Sequence, residues 1–477
     1  MPPSAPASDA KTAEQLPGDR FERLMDEARR IGPVNRDDIV IRLYETSRDI
    51  CSQAVTVATD RLKRQQRRTE RIDDILTSRT WGFPIMLGLL GIVIYLTVAG
   101  ANVPSELLAR LFSYGEDGLT WLFAAMGAPA WLHGLLVLGV YRGLTWVVSV
   151  MLPPMAIFFP MFALLENLGY LPRVAFNLDR VFKTCGGHGK QSLTMTMGFG
   201  CNAAAIVSTR IIESPRERML AILTNNFVPC NGRWPLLIVL SSLFMAVHVT
   251  GGLKTAVTAA IVVGMVLFGI VVTLAVSWML SKTVLRGVPS HYTLELPPYR
   301  IPKFWNTVIR SSLDKSWFVL KRAVIIAAPA GLITWLLANV HAGELSLLEH
   351  AARFLNPVGH ALGMDGYILM AFILGLPANE IVLPILLMAY LSTGAMVEAD
   401  GLAGLRHILL EHGWTWLTAL NMMLFSLLHY PCGTTLFTVY RETRSVKWTA
   451  MAFLLPTAIA VAVTFCTAQL VRGLGLV

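Results

Sequence analysis

The chain has 477 residues, of which 54% are hydrophobic and only 15% are charged, and its mean hydropathy is +0.55. Because soluble domains average about 25% charged residues, this composition excludes an ordinary soluble protein and predicts a polytopic membrane protein. The net charge of +9 does not indicate a nucleic-acid partner. The basic residues are grouped in short blocks between apolar runs, which is the positive-inside pattern of membrane proteins.

The first 80 residues are polar and precede the apolar part of the chain. Residues 1–19, rich in Pro, Ala and Ser, are predicted to be a disordered tail, because they offer little apolar surface to bury. Residues 20–80 have apolar positions at mostly helical spacing and are predicted to form a cytoplasmic helical stalk. The only Gly-Lys pair, Gly189-Lys190, lacks the flanking residues of a nucleotide-binding loop. We therefore expect no enzymatic activity from this chain.

Apolar runs long enough to span a bilayer, about 17 to 25 residues, begin at residue 81. The uninterrupted runs are Trp81 to Val103, Met219 to Val247, Thr255 to Leu280, Val324 to Val340, Trp414 to Val439 and Thr449 to Leu470. Two further runs, 135–165 and 367–391, are broken by proline or glycine. The sequence predicts an all-α polytopic membrane bundle with a first membrane half at 81–285, a basic cytoplasmic linker at 286–322 and a second membrane half at 323–477.

Charge distribution predicts the topology. Basic blocks near residues 61–71, 282–322 and 441–447 are expected in the cytoplasm, as is the N-terminus, with the bundle in the inner (plasma) membrane. Three long apolar segments lie between the second and third blocks, so one of them does not cross. Tyr367 to Leu391, with Gly375-Leu-Pro377 at its centre, is predicted to be a broken or re-entrant hairpin. Loops 341–366 and 396–413 then lie on one non-cytoplasmic side.

Two stretches far apart in the chain look like copies of one design. Gly198-Phe-Gly-Cys-Asn202 is followed by Pro229-Cys230, and Gly375-Leu-Pro-Ala-Asn379-Glu380 is followed by Pro431-Cys432. The segment Gln191 to Thr209 is flanked by basic residues on both sides, so it too is expected to enter and leave the membrane on one side. Paired broken segments in two internally repeated halves indicate a transport site. Helix breakers at membrane depth need protein or water around them.

The same stretches contain candidate ligands for a metal ion. Six cysteines without a CxxC pair are expected to be free thiols, and Fe2+ accepts thiolate, imidazole and carboxylate ligands. The principal candidates are Cys201, Cys230, Cys432 and Glu380. A membrane cysteine can also be a small buried hydrophobe, and the carboxylate can instead hold a broken helix by a hydrogen bond.

Polar residues beside these ligands are secondary candidates. Asn202, Asn231 and Asn379 can supply carbonyl oxygens to an ion, and they can equally cap half-helices. His429 lies three residues before Cys432, on the same helix face if the helix is intact. A satisfied core histidine is an equal alternative there.

From about residue 70 to the end, the chain resembles the membrane domain of the ferrous iron transporter B family (FeoB), with its paired Gate regions. These motifs and several others occur in the same order as in that family. The further matching motifs are Arg71-Ile-Asp-Asp-Ile-Leu-Thr-Ser-Arg-Thr-Trp-Gly-Phe-Pro84, Leu164-Leu-Glu-Asn-Leu-Gly-Tyr-Leu-Pro-Arg173, Glu295-Leu-Pro-Pro-Tyr-Arg-Ile-Pro302, Leu428-His-Tyr-Pro-Cys432 and Arg441-Glu-Thr443. The chain departs from the family in three places. Ala203-Ala204 lacks a proline of the first Gate, Asn379 stands where a lysine is usual, and Pro229-Cys-Asn-Gly-Arg233 replaces Ser-Cys-Ser-Ala-Arg.

The resemblance implies a ferrous iron permease, with Fe2+ as transported substrate and no permanently bound cofactor. Family members usually carry an N-terminal GTP-binding domain, which is not recognisable here, so a separately encoded GTP-binding protein and a small FeoA-like protein are the implied partners. A homo-oligomer is also compatible with the sequence. The alternatives are a carrier of another divalent metal or of a nucleoside, and a membrane scaffold or sensor that does not transport.

Overall fold

A computed structural model describes residues 36–54, 60–78, 80–247, 249, 252–287, 299, 304–310, 316–397 and 401–475. The predicted tail, the first part of the stalk and most of the predicted linker lie outside the described residues. The chain divides into two compact units, residues 1–70 and 71–477, and the second contains both predicted membrane halves.

The described part of the chain before the linker is a succession of helices. These are α1 (Arg36–Ala54), α2 (Asp60–Leu76), α3 (Gly82–Ala125), α4 (Ala130–His133), α5 (Arg142–Asn167), α6 (Tyr170–Thr184), α7 (Gln191–Gly198), α8 (Asn202–Ser208), α9 (Pro215–Thr224), α10 (Trp234–Leu240) and α11 (Gly252–Lys282). A π-helical turn, Gly134–Tyr141, makes α4 and α5 one continuous run.

The rest of the chain is helical as well, apart from a two-stranded hairpin in which β1 (His341–Ala342) pairs antiparallel with β2 (Leu345–Ser346). The helices are α12 (Phe304–Arg310), α13 (Trp317–Asn339), α14 (Leu347–Ala361), α15 (Gly366–Leu374), α16 (Val382–Leu391), α17 (Gly401–Glu411), α18 (Trp416–Leu428), α19 (Gly433–Thr443) and α20 (Val446–Gly473).

Seven helical runs among the described residues are long and apolar enough to cross a membrane, or eight if the pair α14 and α15, bent by 112°, is one span. They are Gly82–Ala125, Ala130–Asn167, Pro215–Met245, Leu253–Lys282, Val319–Asn339, Trp416–Thr443 and Val446–Gly473. Each overlaps one of the predicted apolar runs. One buried apolar cluster joins both halves, from Val93 in α3 to Ala460 in α20. The predicted all-α polytopic membrane bundle is confirmed.

Residues 366–391, which we call hairpin 2, double back on themselves. A straight helix would separate Tyr367 from Tyr390 by about 35 Å. Instead their ring centroids are 5.5 Å apart, and the Tyr390 hydroxyl donates to the carboxylate of Asp365. The chain turns at Gly375-Leu-Pro377, where the proline removes a donor and disfavours helical backbone in the residue before it. The predicted broken hairpin is confirmed.

The ends of hairpin 2 lie together at one end of the bundle. The Trp414 indole donates to the Tyr390 hydroxyl at 2.9 Å, and the His412 ring stacks on Tyr390 at 4.1 Å. Ser392 donates to Glu349 at 3.1 Å. These contacts put loops 341–366 and 396–413 at the same end, which we call the opposite face.

Residues 191–208, which we call hairpin 1, have their ends at the other end of the bundle. Lys190, just before the hairpin, pairs with Glu213, just after it, at 3.3 Å. Arg216 donates to the carbonyl oxygens of Gly186 and Leu285 at 3.1 and 2.6 Å. We call this end the basic face. Hairpin 1 therefore opens at the basic face, whereas hairpin 2 opens at the opposite face.

The span that follows each hairpin is itself broken, and the two broken spans run in opposite directions. Broken span 1, Pro215–Met245, starts at the basic face and ends where Phe244 packs on Trp414, with ring centroids 5.7 Å apart. Broken span 2, Trp416–Thr443, starts beside Trp414 and ends where Glu442 binds Arg210 at 2.7 Å. The two hairpin-plus-span units thus form an inverted repeat, an arrangement that places transport sites between the halves.

Candidate transport site

The tips of the two hairpins have the same backbone conformation. At hairpin 1, Cys201 precedes helix α8 with φ −153° and ψ 120°; at hairpin 2, Ala378 precedes a 3-10 turn with φ −154° and ψ 127°. Asn202 and Asn379 follow these residues and are the first helical residues of each segment. The repeated Gly-x-x-x-Asn pattern therefore encodes one local structure twice, an extended residue followed by a new helical turn.

The breaks of the two spans are alike as well. Val228 and Tyr430, each before a proline, cannot readily continue a helix, and Cys230 and Cys432 then precede the next helical segments. Neither thiol caps its helix by a side-chain hydrogen bond. Backbone bonds tie each break to the tip of the hairpin in its own half. Asn231 N donates to Gly200 O at 3.1 Å, and Gly433 N donates to Leu376 O at 2.7 Å.

Side chains from the two halves meet between these four breaks. The Asn379 amide of hairpin 2 lies 3.9 Å from Cys230 Sγ of broken span 1. The Glu380 carboxylate packs against the backbone of Gly232, so closely that a Cβ there would lie 2.3 Å from Oε1. Cys201 follows Gly200, whose carbonyl oxygen accepts from Asn231 N next to Cys230. The principal candidates predicted from the sequence therefore surround one region.

This region lies near the middle of the membrane domain. Ten residues of helix α19 separate Cys432 from Glu442 at the basic face, and at 1.5 Å per residue this is about 15 Å, half of a bilayer core of about 30 Å. Cys230, Glu380 and Cys432 keep partial exposure there, whereas Cys201 is 7% exposed. Partly accessible polar groups at this depth are typical of an ion pathway.

The region is not a closed coordination shell. Among the described residues, no group of three or more His, Cys, Asp or Glu side chains is arranged to hold a metal ion. The Cys432 thiol contacts the Thr435 hydroxyl at 3.2 Å, and the three thiols are free. A site of separated ligands binds an ion only with movement of the hairpin tips or with part of the ion's hydration shell retained.

The three asparagines do not cap the half-helices, because the capping positions belong to Cys201, Cys230 and Ala378. The capping alternative raised by the sequence is thus wrong. Asn202 is buried and its Oδ1 accepts a hydrogen bond from Asn225 Nδ2 at 3.1 Å. Asn379 is buried beside Cys230, and Asn231 is partly exposed.

His429 does not share a helix face with Cys432. Helix α18 ends at Leu428 and His429 is extended, with ψ 175°, so the assumption of an intact helix is wrong. The imidazole is buried between Phe372 and Tyr430, with ring centroids 4.9 and 4.8 Å away, and its Nδ1 lies 2.9 Å from Ser426 O. These contacts favour the core-histidine alternative over a ligand.

Arg233 is the residue beside the site that the sequence interpretation missed. It is completely buried and donates to backbone oxygens of Asn226 and Leu427 at 2.7 and 2.9 Å, and of His429 and Tyr430 at 3.3 and 3.4 Å. These carbonyls belong to the breaks of both spans. A charge inside an apolar run is costly and indicates a function, so its place within Met219 to Val247 was the available signal.

Two charged clusters brace the basic face. Glu442 accepts from Arg210 and Arg218 at 2.7 and 3.1 Å, which joins broken span 2 to the first half. Separately, Asp73 accepts from Arg173 at 3.0 Å and from Tyr299 at 2.6 Å, and the guanidinium lies over the Tyr299 ring.

The Asp73 cluster shifts two pKa values. Burial opposes ionisation of Asp73, but the hydrogen bonds from Arg173 and Tyr299 outweigh it and lower the pKa of that carboxyl. Burial and the hydrogen bond to Asp73 raise the pKa of Tyr299 to about 12. The phenol therefore stays a hydrogen-bond donor to an ionised Asp73 at neutral pH.

Comparison with known families identifies both halves. The Gate model, described as nucleoside recognition, matches residues 148–244 and 320–446, so it covers both hairpins and both broken spans. The model for the ferrous iron transport protein B C terminus matches residues 262–313. The internal duplication that the sequence predicted thus agrees with a Gate domain present twice.

Curated relatives match most of the chain. The Fe(2+) transporter FeoB of Staphylococcus aureus (strain MSSA476) is 29% identical over 412 residues, which is 84% of this chain and 59% of the relative. The FeoB of Methanocaldococcus jannaschii is 28% identical over 80% of this chain and 56% of its own length. A Porphyromonas gingivalis protein named as a fusion of Fe(2+) transport protein A and FeoB is 25% identical, over 83% of this chain and 51% of its length.

The chain thus spans about three-fifths or less of the length of these relatives. No solved structure matches it. The two family models cover the inverted repeat and the segment between its halves, and the relatives extend over more than four-fifths of this chain in most cases. Over its membrane domain the chain is therefore similar to the ferrous iron transporter B family, whose C-terminal model and named relatives it matches.

Proposed function

We propose that this chain is a permease that moves ferrous iron into the cytoplasm across the inner membrane. The observation that carries the proposal is the meeting of three free thiols and one carboxylate, contributed by both inverted halves, near mid-depth in the membrane domain. The relatives named as Fe(2+) transporters support the choice of ion. Fe2+ is a borderline ion that accepts sulfur and oxygen ligands together.

The arrangement suggests how the ion passes. Cys230, Cys432 and Glu380 are partly accessible and would replace some of the water molecules around Fe2+. The Asn379 amide, whose Nδ2 lies 3.9 Å from Cys230 Sγ, would supply an uncharged oxygen after turning about its side-chain bond. Because the ligands are separated rather than gathered in a closed shell, each bond is exchangeable. Conduction requires a site that binds strongly enough to admit the ion and weakly enough to release it.

A GTP-binding protein and a FeoA-like protein are the proposed partners, acting at the basic face. The fusion of transport protein A to FeoB in the Porphyromonas gingivalis relative favours the second partner. A partner can drive transport only by binding two conformations of the permease with different affinity. GTP-dependent flux that appears only when the GTP-binding protein is added would support this arrangement.

A nucleoside is the second candidate substrate, because the Gate model is described as nucleoside recognition. The site favours a metal ion, since nucleoside binding gains nothing specific from three thiols. Competition distinguishes the two: excess nucleoside should leave Fe2+ uptake unchanged, whereas other divalent metals should reduce it.

The test is Fe2+ uptake by the purified chain in proteoliposomes. Cys201→Ser and Cys432→Ser keep the size of each side chain and remove the soft ligand, so each should abolish uptake while protein yield stays normal. Cys466→Ser, which removes an exposed thiol of helix α20, is the matched control and should transport like the unaltered chain. Wild-type uptake by both site variants would overturn the metal-site assignment. Absence of flux from the unaltered chain, with partners and GTP present, would favour a scaffold.

A further inference from the structure

A row of buried polar side chains runs from the tip of hairpin 1 toward the basic face. Asn202, next to Cys201, accepts a hydrogen bond from Asn225 at 3.1 Å. Thr224 immediately precedes Asn225 in the chain, and its hydroxyl accepts a hydrogen bond from Gln191 Nε2 at 2.9 Å. All four of these residues are at most 4% exposed. We call Asn202, Asn225 and Gln191 the amide row.

The direction of the row follows from helix α7. Gln191 and Thr194 occupy positions i and i+3 of this helix, and Gly198 occupies i+7, so all three share one face. Asn225 lies against Gly198, since a Cβ there would be 3.2 Å from its amide oxygen. Seven residues at 1.5 Å each make the row about 10 Å long. It begins beside Cys201 and ends at Gly187, where a Cβ would lie 2.5 Å from Gln191 Oε1.

Two amides of the row have uncommitted oxygens. The NH2 groups of Asn225 and Gln191 are both used as hydrogen-bond donors, but Asn225 Oδ1 and Gln191 Oε1 accept no hydrogen bond from the described residues. Buried amide oxygens are normally hydrogen-bonded to protein or to ordered water, so these two are open to a water molecule or a cation. A cation needs acceptors and no donors, and amide oxygens are ligands of divalent ions.

The row ends among ionisable side chains at the basic face. His188 is 7% exposed and interacts electrostatically with Glu217 and Asp179. The cations nearby are occupied: Lys183 pairs with Asp179 at 2.7 Å, and Lys190 pairs with Glu213 at 3.3 Å. A divalent cation leaving the row therefore meets carboxylates beside these lysines, and also Arg216, which donates to the carbonyl oxygens of Gly186 and Leu285.

We propose that the amide row is a second cation site, through which a divalent ion leaves the thiol region for the basic face. This inference rests on the proposed permease function. The ion passes from Cys201 along Asn202, whose Oδ1 already accepts from Asn225, to the unpaired Asn225 Oδ1 and then to Gln191 Oε1. Neutral oxygens hold Fe2+ less tightly than thiolates do, because thiolates are the softer and charged ligands. The row thus favours release over storage.

The experiment measures flux and occupancy of the thiol region separately. Proteoliposomes containing the purified full chain report the initial rate of Fe2+ uptake. Protection of Cys230 and Cys432 from a maleimide by added Fe2+ reports binding at the thiol region. Asn225→Leu and Gln191→Met each remove one oxygen and nearly keep the volume. Each variant should lower the initial uptake rate by about tenfold or more. The Fe2+ concentration that protects Cys230 and Cys432 from the maleimide should stay the same.

Conservative and distant variants separate a cation site from a structural role. Asn225→Asp and Gln191→Glu retain a side-chain oxygen at each position and should restore most of the uptake. Asn421→Leu removes a buried asparagine of the other half, whose amide donates to Leu362 O at 2.9 Å and whose Oδ1 is likewise unpaired among the described residues. Because Asn421 lies outside the amide row, this variant should transport normally. Gln191→Met lies at the far end of the row from Asn225, so it decides the matter if Asn225→Leu does not fold.

Wild-type uptake by either foldable apolar variant would overturn the amide row. So would a loss of thiol protection that parallels the loss of flux, because that pattern reports damage to the thiol region. If the unaltered chain shows neither flux nor thiol protection, the proposed permease function fails first. Reduced flux with intact protection supports the row.

Discussion

The two Gate halves share a backbone and differ in what they place on it. Cys201 of hairpin 1 corresponds to Ala378 of hairpin 2, and Ala203 corresponds to Glu380, with nearly identical φ and ψ at the first pair. The first tip therefore supplies a thiol and the second a carboxylate. The repeated backbone places one residue at the same position of each hairpin tip. The residue differences between the halves then put the soft thiol ligand in hairpin 1 and the hard carboxylate ligand in hairpin 2.

The same comparison holds at the broken spans. Arg233 stands three residues after Cys230, and Thr435 stands three residues after Cys432. The arginine binds carbonyls of both spans, whereas the threonine hydroxyl only contacts its own Cys432 at 3.2 Å. Arg233 thus binds both broken spans from a position at which the other half has a threonine, and the first predictions below test such differences between the halves.

Arg233→Met should have the largest effect. It removes the Arg233 donor from the carbonyls of Asn226, Leu427 and Tyr430, while His429 O keeps its hydrogen bond from Asn226 Nδ2. Each unpaired buried group costs about 1–3 kcal/mol, so the free energy of unfolding should fall by at least about 3 kcal/mol. Thr435→Val, the corresponding change in the other half, should cost about 1 kcal/mol or less. Thermal denaturation in detergent measures both. Equal stability of the two variants would contradict a special role for Arg233.

Glu380→Gln should come next. It removes the only acidic side chain at either hairpin tip and should reduce Fe2+ uptake about 10-fold to 100-fold, since a charged ligand is replaced by a neutral one. Gly232→Ala should have a similar effect without changing charge, because the new Cβ must displace the carboxylate. Gly264→Ala, which meets open space in helix α11, is the control. Normal uptake by Gly232→Ala would argue against the position of Glu380.

Asp73→Asn should have a smaller effect that depends on pH. Because the folded pKa of Asp73 is lowered, its contribution is present above its unfolded pKa of about 4 and is lost as the pH falls through the folded value. At neutral pH the variant should be less stable by about 1–2 kcal/mol. Below pH 4 it should approach the unaltered chain. A stability difference that stays constant from pH 7 to acid would contradict this coupling.

Glu442→Gln should have the smallest effect on stability. The Glu442 side chain is itself only 6% exposed, but its partners Arg210 and Arg218 are 64% and 33% exposed and keep much of their hydration, so the change should cost about 1 kcal/mol. The bridge joins the ends of helices that begin beside Cys201 and Cys432. Its loss should therefore raise basal uptake about two-fold to three-fold, which corresponds to a free-energy change of less than about 1 kcal/mol. Uptake assays at low and high salt check this, because salt should produce the same increase in the unaltered chain.

Composition and motif order were enough to predict much of this protein. Low charge and long apolar runs determine a polytopic bundle, because no soluble fold can bury that much apolar surface. The odd number of segments between basic blocks predicted that residues 367–391 double back. The Gly, Pro and Cys pattern predicted where the helices break and that Cys201, Cys230, Cys432 and Glu380 belong together.

Other features required the tertiary structure. Which face each hairpin opens on depends on contacts between distant segments, such as Tyr390 with Asp365 and Lys190 with Glu213. In the sequence, His429 lies three residues before Cys432, as on one helix face. The helix ends at Leu428, however, and the His429 side chain packs among aromatic rings instead. Arg233 and the amide row were hidden for the same reason. A sequence shows which polar groups enter the membrane, but only packing decides which partners satisfy them.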